Sequence, residues 1–366
     1  MESVTLAAPD QPAEGVPLAV KDLFDTAGLT TTYGSILFAD HVPTASAEAV
    51  LRCEAAGFAL HSKTNLHEFA YGTTSQNPWF GTVPNPRAPG RVAGGSSGGS
   101  AAAIAAGLVE HALGTDSGGS IRIPAACCGV TGFKPSYGLV PIGGVFPLAA
   151  SFDHAGPLAR DVAGCVTLMQ ALVPGFALAE PGARVAVAWG EHATAPIRAA
   201  LARAAAALRA EPIAFPEPTG IGPLFMREAA QSHAGLFPEQ ADLYGANVRT
   251  KLERCLRVGD READAASAER ERYREQAEAA LGGYDLLLVP TLPLVAPPAD
   301  VDELDVRETL IRFTFPFNAL GWPALALPCG EDDAGIPLSV QLVGKIGADE
   351  HVLAAGMRLE RELSPF

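Results

Sequence analysis

An α/β fold is predicted by three observations. Short apolar runs alternate with helix-period segments along the chain. Gly57 separates one such helix-period segment from the next apolar run. The 366 residues are 48% hydrophobic, enough to bury a full core and to exclude a disordered chain. Length alone is compatible with two domains or with one large α/β domain.

From the N-terminus, residues 16–21 predict a strand that runs into Lys21. Residues 45–56 have the spacing of an amphipathic helix, Gly57 stops it, and residues 58–61 form the next strand. Residues 100–109 predict a helix of small residues packed closely against a neighbour, and residues 111–115 a short strand. The segment 175–285 differs in character. It predicts a strand at 184–189, an alanine-rich helix at 197–210 and a long charged helix at 262–281 with Glu and Arg at helical spacing. It reads either as a helical cap over a core or as a peripheral layer of helices. Core strands at 284–289, 324–327 and 338–343 and a helix at 353–363 complete the chain.

Lysine and arginine number 26 against 41 aspartates and glutamates, a net charge of −15. So acidic a surface repels phosphate backbones, and with no basic run the chain is not expected to bind nucleic acid. No window of about twenty residues is continuously apolar, so no membrane span is expected. Met1-Glu2-Ser3 lacks a basic start followed by an apolar stretch, so no signal peptide is predicted. The six cysteines, at 53, 127, 128, 165, 255 and 329, have no zinc spacing. Reduced, buried thiols in a cytoplasmic protein are the expectation. The eight histidines show no metal-ligand pattern, so neither a metal nor a cofactor is predicted.

Two glycine-serine clusters carry the chemistry: Gly94-Gly95-Ser96-Ser97-Gly98-Gly99-Ser100 and Asp116-Ser117-Gly118-Gly119-Ser120. Glycines let consecutive N–H groups converge on one point, the geometry that stabilises the anionic oxygen of acyl transfer. Ser120 ends such a loop, where a nucleophile would form a covalent acyl-enzyme. Serine needs a base. Lys21 follows the apolar run Val16-Pro17-Leu18-Ala19-Val20, which can deliver it to the interior and depress its pKa. Ser96 can relay a proton between them, since a hydroxyl both donates and accepts. Other readings stay open at this point. The first cluster resembles a flexible linker, or a phosphate loop without its lysine. It also fits G-x-S-x-G, a nucleophile elbow that needs a preceding strand and a later histidine. Lys21 taken alone reads first as a surface lysine beside Asp22.

Together, Lys21 in Val-Lys-Asp, residues 94–100 and Gly-Thr-Asp-Ser-Gly-Gly-Ser-Ile-Arg-Ile-Pro at 114–124 resemble the amidase signature family of Ser–Ser–Lys hydrolases, in order and spacing. Thr64-Asn65, Asn85-Pro86, Gly132-Phe133-Lys134-Pro135, Ser151-Phe152-Asp153, Pro316-Phe317-Asn318 and Pro323-Ala324-Leu325 extend the similarity. The resemblance implies one α/β domain over residues 1–366, with a large mixed β-sheet flanked by helices. It makes Ser120 the nucleophile, Ser96 the bridging serine after a cis peptide bond, and Lys21 the base. Backbone N–H groups of Ser117, Gly118, Gly119 and Ser120 would hold the oxyanion. Thr115, Asp116 and Arg122 would brace the loop, with Arg122 paired to Asp116, and Ala70 and Tyr71 would line the acyl pocket. The implied activity is hydrolysis of a small-molecule carboxylic amide, with ester or carbamate cleavage as side reactions, by a monomer or homodimer. The alternative is the glutaminase subunit of a tRNA-dependent amidotransferase.

Overall fold

The computed structural model describes residues 3–11, 14–180 and 182–363. Met1 and Glu2, on which the signal-peptide expectation partly rests, lie outside the described residues. The first half runs β1 (Thr5–Ala7), β2 (Val16–Lys21), α1 (Glu48–Ala55), β3 (Phe58–Thr64) and a small hairpin of β4 (Gln76–Asn77) and β5 (Gly81–Thr82). It continues through α2 (Gly98–Ala105), β6 (His111–Asp116), α3 (Arg122–Cys128), β7 (Thr131–Lys134), β8 (His154–Ala159) and α4 (Val162–Leu172). Then come β9 (Val185–Val187), α5 (Ala195–Leu208), β10 (Glu211–Pro212), α6 (Gly222–Ser232), α7 (Ala246–Cys255) and α8 (Asp260–Leu281). The chain closes with β11 (Leu286–Pro290), α9 (Glu303–Ile311), α10 (Phe315–Ala319), β12 (Ala324–Glu331), β13 (Pro337–Gly344) and α11 (Asp349–Leu363).

Eleven of these strands form one mixed sheet in the order β1-β3-β2-β6-β8-β7-β12-β13-β11-β9-β10, the large mixed sheet flanked by helices that the resemblance implies. Parallel pairs at β2–β3 and β2–β6 give way to antiparallel pairs from β6 through β8, β7, β12 and β13 to β11. Central strands are apolar and buried along their length, as sheets covered on both faces require. Helices α1, α4, α11 and α5 contact one another in succession against the sheet, while α2 and α3 form a second packed pair.

Among the features that go beyond the sequence reading, two shape the sheet. Residues 175–285 contribute to the sheet itself: the apolar triplet Val185–Val187 pairs in parallel with β11, and β10 extends that edge. Strands β7 and β8 have no counterpart among the predicted elements, because Gly132, Gly156 and Pro157 interrupt their apolar pattern. No helix among the described residues is long and apolar enough to cross a membrane.

Candidate active site

Because β2 and β6 are parallel neighbours, their C-terminal ends reach the same edge of the sheet, with Leu18 opposite His111 and Val20 opposite Leu113. That edge is where α/β proteins build ligand sites. Lys21 ends β2, and Thr115 and Asp116 end β6. The two glycine-serine loops follow as the N-terminal approaches to α2 and α3.

The first cluster is not a linker. Ser96, Ser97 and Ser100 are fully buried, and α2 sits so close to its neighbours that only glycine fits. A Cβ on Gly99 would lie 2.3 Å from the Asn65 carbonyl oxygen, and one on Gly98 2.4 Å from Ser75 Oγ. The Gly95–Ser96 peptide bond is cis, as the resemblance implies. Ser97 joins the loops: its N–H donates to the Ser120 carbonyl at 3.1 Å, and its hydroxyl donates to the Thr115 carbonyl at 3.2 Å. The elbow geometry is absent, since no strand runs into Ser96; residues 84, 91 and 92 form only isolated bridges. His67 lies near, but its ring bonds Asn247 Oδ1 at 3.3 Å, and burial, reinforced by Lys251, lowers its pKa to about 4.

Lys21 is fully buried, and Nζ lies 2.7 Å from both Ser96 Oγ and Thr115 Oγ1. It is therefore no surface partner of Asp22, which instead pairs with buried Lys63 at 3.2 Å. Desolvation lowers the Lys21 pKa to about 7, opposed by the charges of Asp116 and Asp153. Half the amine is then unprotonated near neutral pH. Ser120 is 7% exposed, and its hydroxyl bonds no protein group among the described residues.

Asp116 organises the loop that carries Ser120. It accepts from the N–H of Gly119 at 2.7 Å and of Ile121 at 3.1 Å. Arg122 grips the same carboxylate through Nε at 3.0 Å and Nη2 at 2.9 Å, with both side chains fully buried. Arg122 also donates to Asn318 Oδ1 at 2.7 Å and Gln341 Oε1 at 3.1 Å. Burial alone would raise the Asp116 pKa, but Arg122 holds it well below the usual carboxylate range. One expected oxyanion donor changes role. The Gly119 N–H is spent on Asp116, and its φ of +134° with Thr314 Oγ1 2.3 Å from a would-be Cβ explains the glycine. The N–H groups of Ser117, Gly118 and Ser120 make no hydrogen bond among the described residues. The Ser117 hydroxyl donates to Asp153 at 2.5 Å, a carboxylate whose pKa burial raises to about 6.

Ser117, Gly118 and Ser120 face a narrow cavity of about 20 Å³ that Ala70 and Tyr71 also line. A larger cavity of about 360 Å³ shares Tyr71, Phe225, Arg307 and Ile311 with it. Phe69 and Ala70 both have positive φ, 50° and 57°. So costly a turn persists only where its surroundings fix it, and here Lys251 Nζ holds the Tyr71 carbonyl at 2.8 Å. Tyr71 is both core and lining: it is 4% exposed and its hydroxyl meets Cys255 Sγ at 3.2 Å. The α6 and α7 region supplies Phe225, Met226 and Arg254 to the larger cavity. Nothing in the sequence marks Phe225, Ile311 or Arg307 as site residues, since each is an ordinary residue of its helix or helix end. No group of three or more His, Cys, Asp or Glu among the described residues can hold a metal ion.

Comparison with known proteins points to one family. The Amidase family model matches residues 2–176 and 180–353. The A subunit of the Lachnospira eligens glutamyl-tRNA(Gln) amidotransferase is 32% identical over 411 residues, covering 97% of this chain and 85% of the relative. AtzE of Pseudomonas sp. strain ADP, a 1-carboxybiuret hydrolase subunit, is 34% identical over 394 residues, covering 95% and 84%. A solved amidase structure superposes with a TM-score of 0.88 at 40% identity, covering 95% of this chain and 85% of that one. The chain belongs to the amidase signature family, enzymes that hydrolyse carbon–nitrogen bonds other than peptide bonds.

Proposed function

We propose that this protein is an amidase that cleaves a carboxylic amide through a Ser120 acyl-enzyme, with Ser96 and Lys21 as its proton relay. The observation that carries the reading is the fully buried Lys21 Nζ, 2.7 Å from Ser96 Oγ. A neutral Lys21 takes the Ser96 proton while Ser96 takes the Ser120 proton, and Ser120 Oγ bonds to the amide carbon. The N–H groups of Ser117, Gly118 and Ser120 stabilise the oxyanion. The proton returns through Ser96 to the leaving nitrogen, the C–N bond breaks, and amine departs. Water then attacks the acyl ester with the same relay, releasing acid and restoring Ser120.

Two outcomes follow. Ser120→Ala abolishes amide turnover, measured as ammonia or amine released from an amide panel. Catalysis needs the unprotonated amine, and the Lys21 pKa is lowered to about 7. The pH profile of kcat/KM therefore rises about tenfold per pH unit below that value and flattens above it. A profile flat from pH 5 to 8 contradicts Lys21 as the base.

The likeness to the glutamyl-tRNA(Gln) amidotransferase relative over 97% of this chain favours a second reading, a glutaminase subunit that works with a partner. Glutamine hydrolysis that rises on adding partner subunits would select it, whereas amide hydrolysis by the isolated chain at full rate selects the first.

A further inference from the structure

The larger cavity is lined by three cations, Lys251, Arg254 and Arg307, and by one carboxylate, Glu308. Lys251 is matched, since Glu303 meets it at 2.5 Å with both side chains buried. Arg307 is not matched in that way. It donates to Glu308 at 2.7 Å, but the Glu308 side chain is 82% exposed, and so exposed a pair contributes little. Arg307 lies 5.8 Å from the centre of the Tyr71 ring, and Tyr71 and Glu303 both favour its charged form, but the Glu303 carboxylate is already paired with Lys251. Arg254 is exposed and has no hydrogen bond or ion pair from its side chain among the described residues. A chain of net charge −15 thus places at one cavity two guanidinium groups that have no buried carboxylate paired to them among the described residues. Between them the wall is apolar, formed by Ile221, Phe225, Met226 and Phe315. Arg307 also borders the narrow cavity of Ser120.

Resting on the amidase reading, we infer that the substrate is a small linear amide carrying a carboxylate, which Arg307 and Arg254 bind while the amide carbonyl sits at Ser120. A guanidinium fork matches a planar carboxylate with two parallel hydrogen bonds. The apolar wall takes the short carbon chain that separates the two groups. The cavity's volume of about 360 Å³ falls at the small end of ligand sites.

The test compares glutaramate with pentanamide, which differ by a carboxylate in place of a methyl group. The wild-type protein is expected to favour glutaramate in kcat/KM by about tenfold or more. In Arg307→Gln that ratio falls towards one, and Arg307→Lys restores part of it. A wild-type preference for pentanamide, or a ratio unchanged in Arg307→Gln, overturns the inference. If neither amide turns over or Arg307→Gln does not fold, protection of Ser120 decides. Glutarate should slow fluorophosphonate labelling of wild-type Ser120 more than pentanamide does; equal protection overturns the inference. Failure of the amidase reading itself differs from both, because Ser120 would then take no label at all.

Discussion

Lys21→Met is expected to lower kcat/KM for amide hydrolysis by roughly 10³–10⁴-fold while leaving the fold intact. The size follows from what a positioned general base contributes. Methionine keeps most of the lysine volume, so the buried space between β2 and β6 stays filled. It also removes a charge that burial opposes. What it deletes is the nitrogen 2.7 Å from Ser96 Oγ. Ser96 then has no base to take its proton, and Ser120 attacks as an ordinary hydroxyl. A residual rate above that in water is expected, because the oxyanion donors remain. The loss should lie in kcat rather than KM, since Lys21 lines neither cavity. Steady-state kinetics beside a thermal unfolding curve make the check. Wild-type kcat in a folded Lys21→Met protein would remove lysine from the mechanism.

Arg122→Ala is expected to cost about 3–5 kcal/mol of stability. The variant strands the Asp116 carboxylate, fully buried, without its bidentate partner. It also leaves Asn318 Oδ1 and Gln341 Oε1 short of a donor. A buried charge without a partner is far more costly than a missing pair. Because Asp116 also holds the N–H groups of Gly119 and Ile121, the nucleophile loop should loosen, and activity should fall with stability. Urea unfolding measures the first effect and turnover at low temperature the second. A stability change under about 1 kcal/mol would show that solvent reaches Asp116 and that the network is not what fixes the loop.

The readable part of this site is the part whose chemistry constrains the backbone. Ser96 and Ser120 stand out as candidates in the sequence because close-packed loops demand glycine around them, a demand visible at Gly98, Gly99 and Gly119, and Lys21 stands out as a charge that ends an apolar run. Strand β2 is legible because its apolar run ends in a charged residue. Strands β7 and β8 are not, since glycine and proline in a central strand mimic a loop. The role of Gly119 escapes the sequence because a Gly-Gly pair reads as two free donors, whereas one of them serves the turn that Asp116 caps. The cavity lining is least legible. Arg307 sits on a helix far along the chain, and only tertiary packing brings it to the Ser120 cavity. The Lys251–Glu303 pair beside the Tyr71 turn likewise joins α7 to α9, and neither helix carries a local pattern that announces it.

Peptide mapping by mass, after treating the purified protein with a fluorophosphonate, decides whether the Ser120–Ser96–Lys21 relay operates. A single adduct on Ser120, absent from Ser120→Ala and slowed in Lys21→Met, is the predicted result. An adduct on Ser96, or labelling indifferent to Lys21, would contradict the relay.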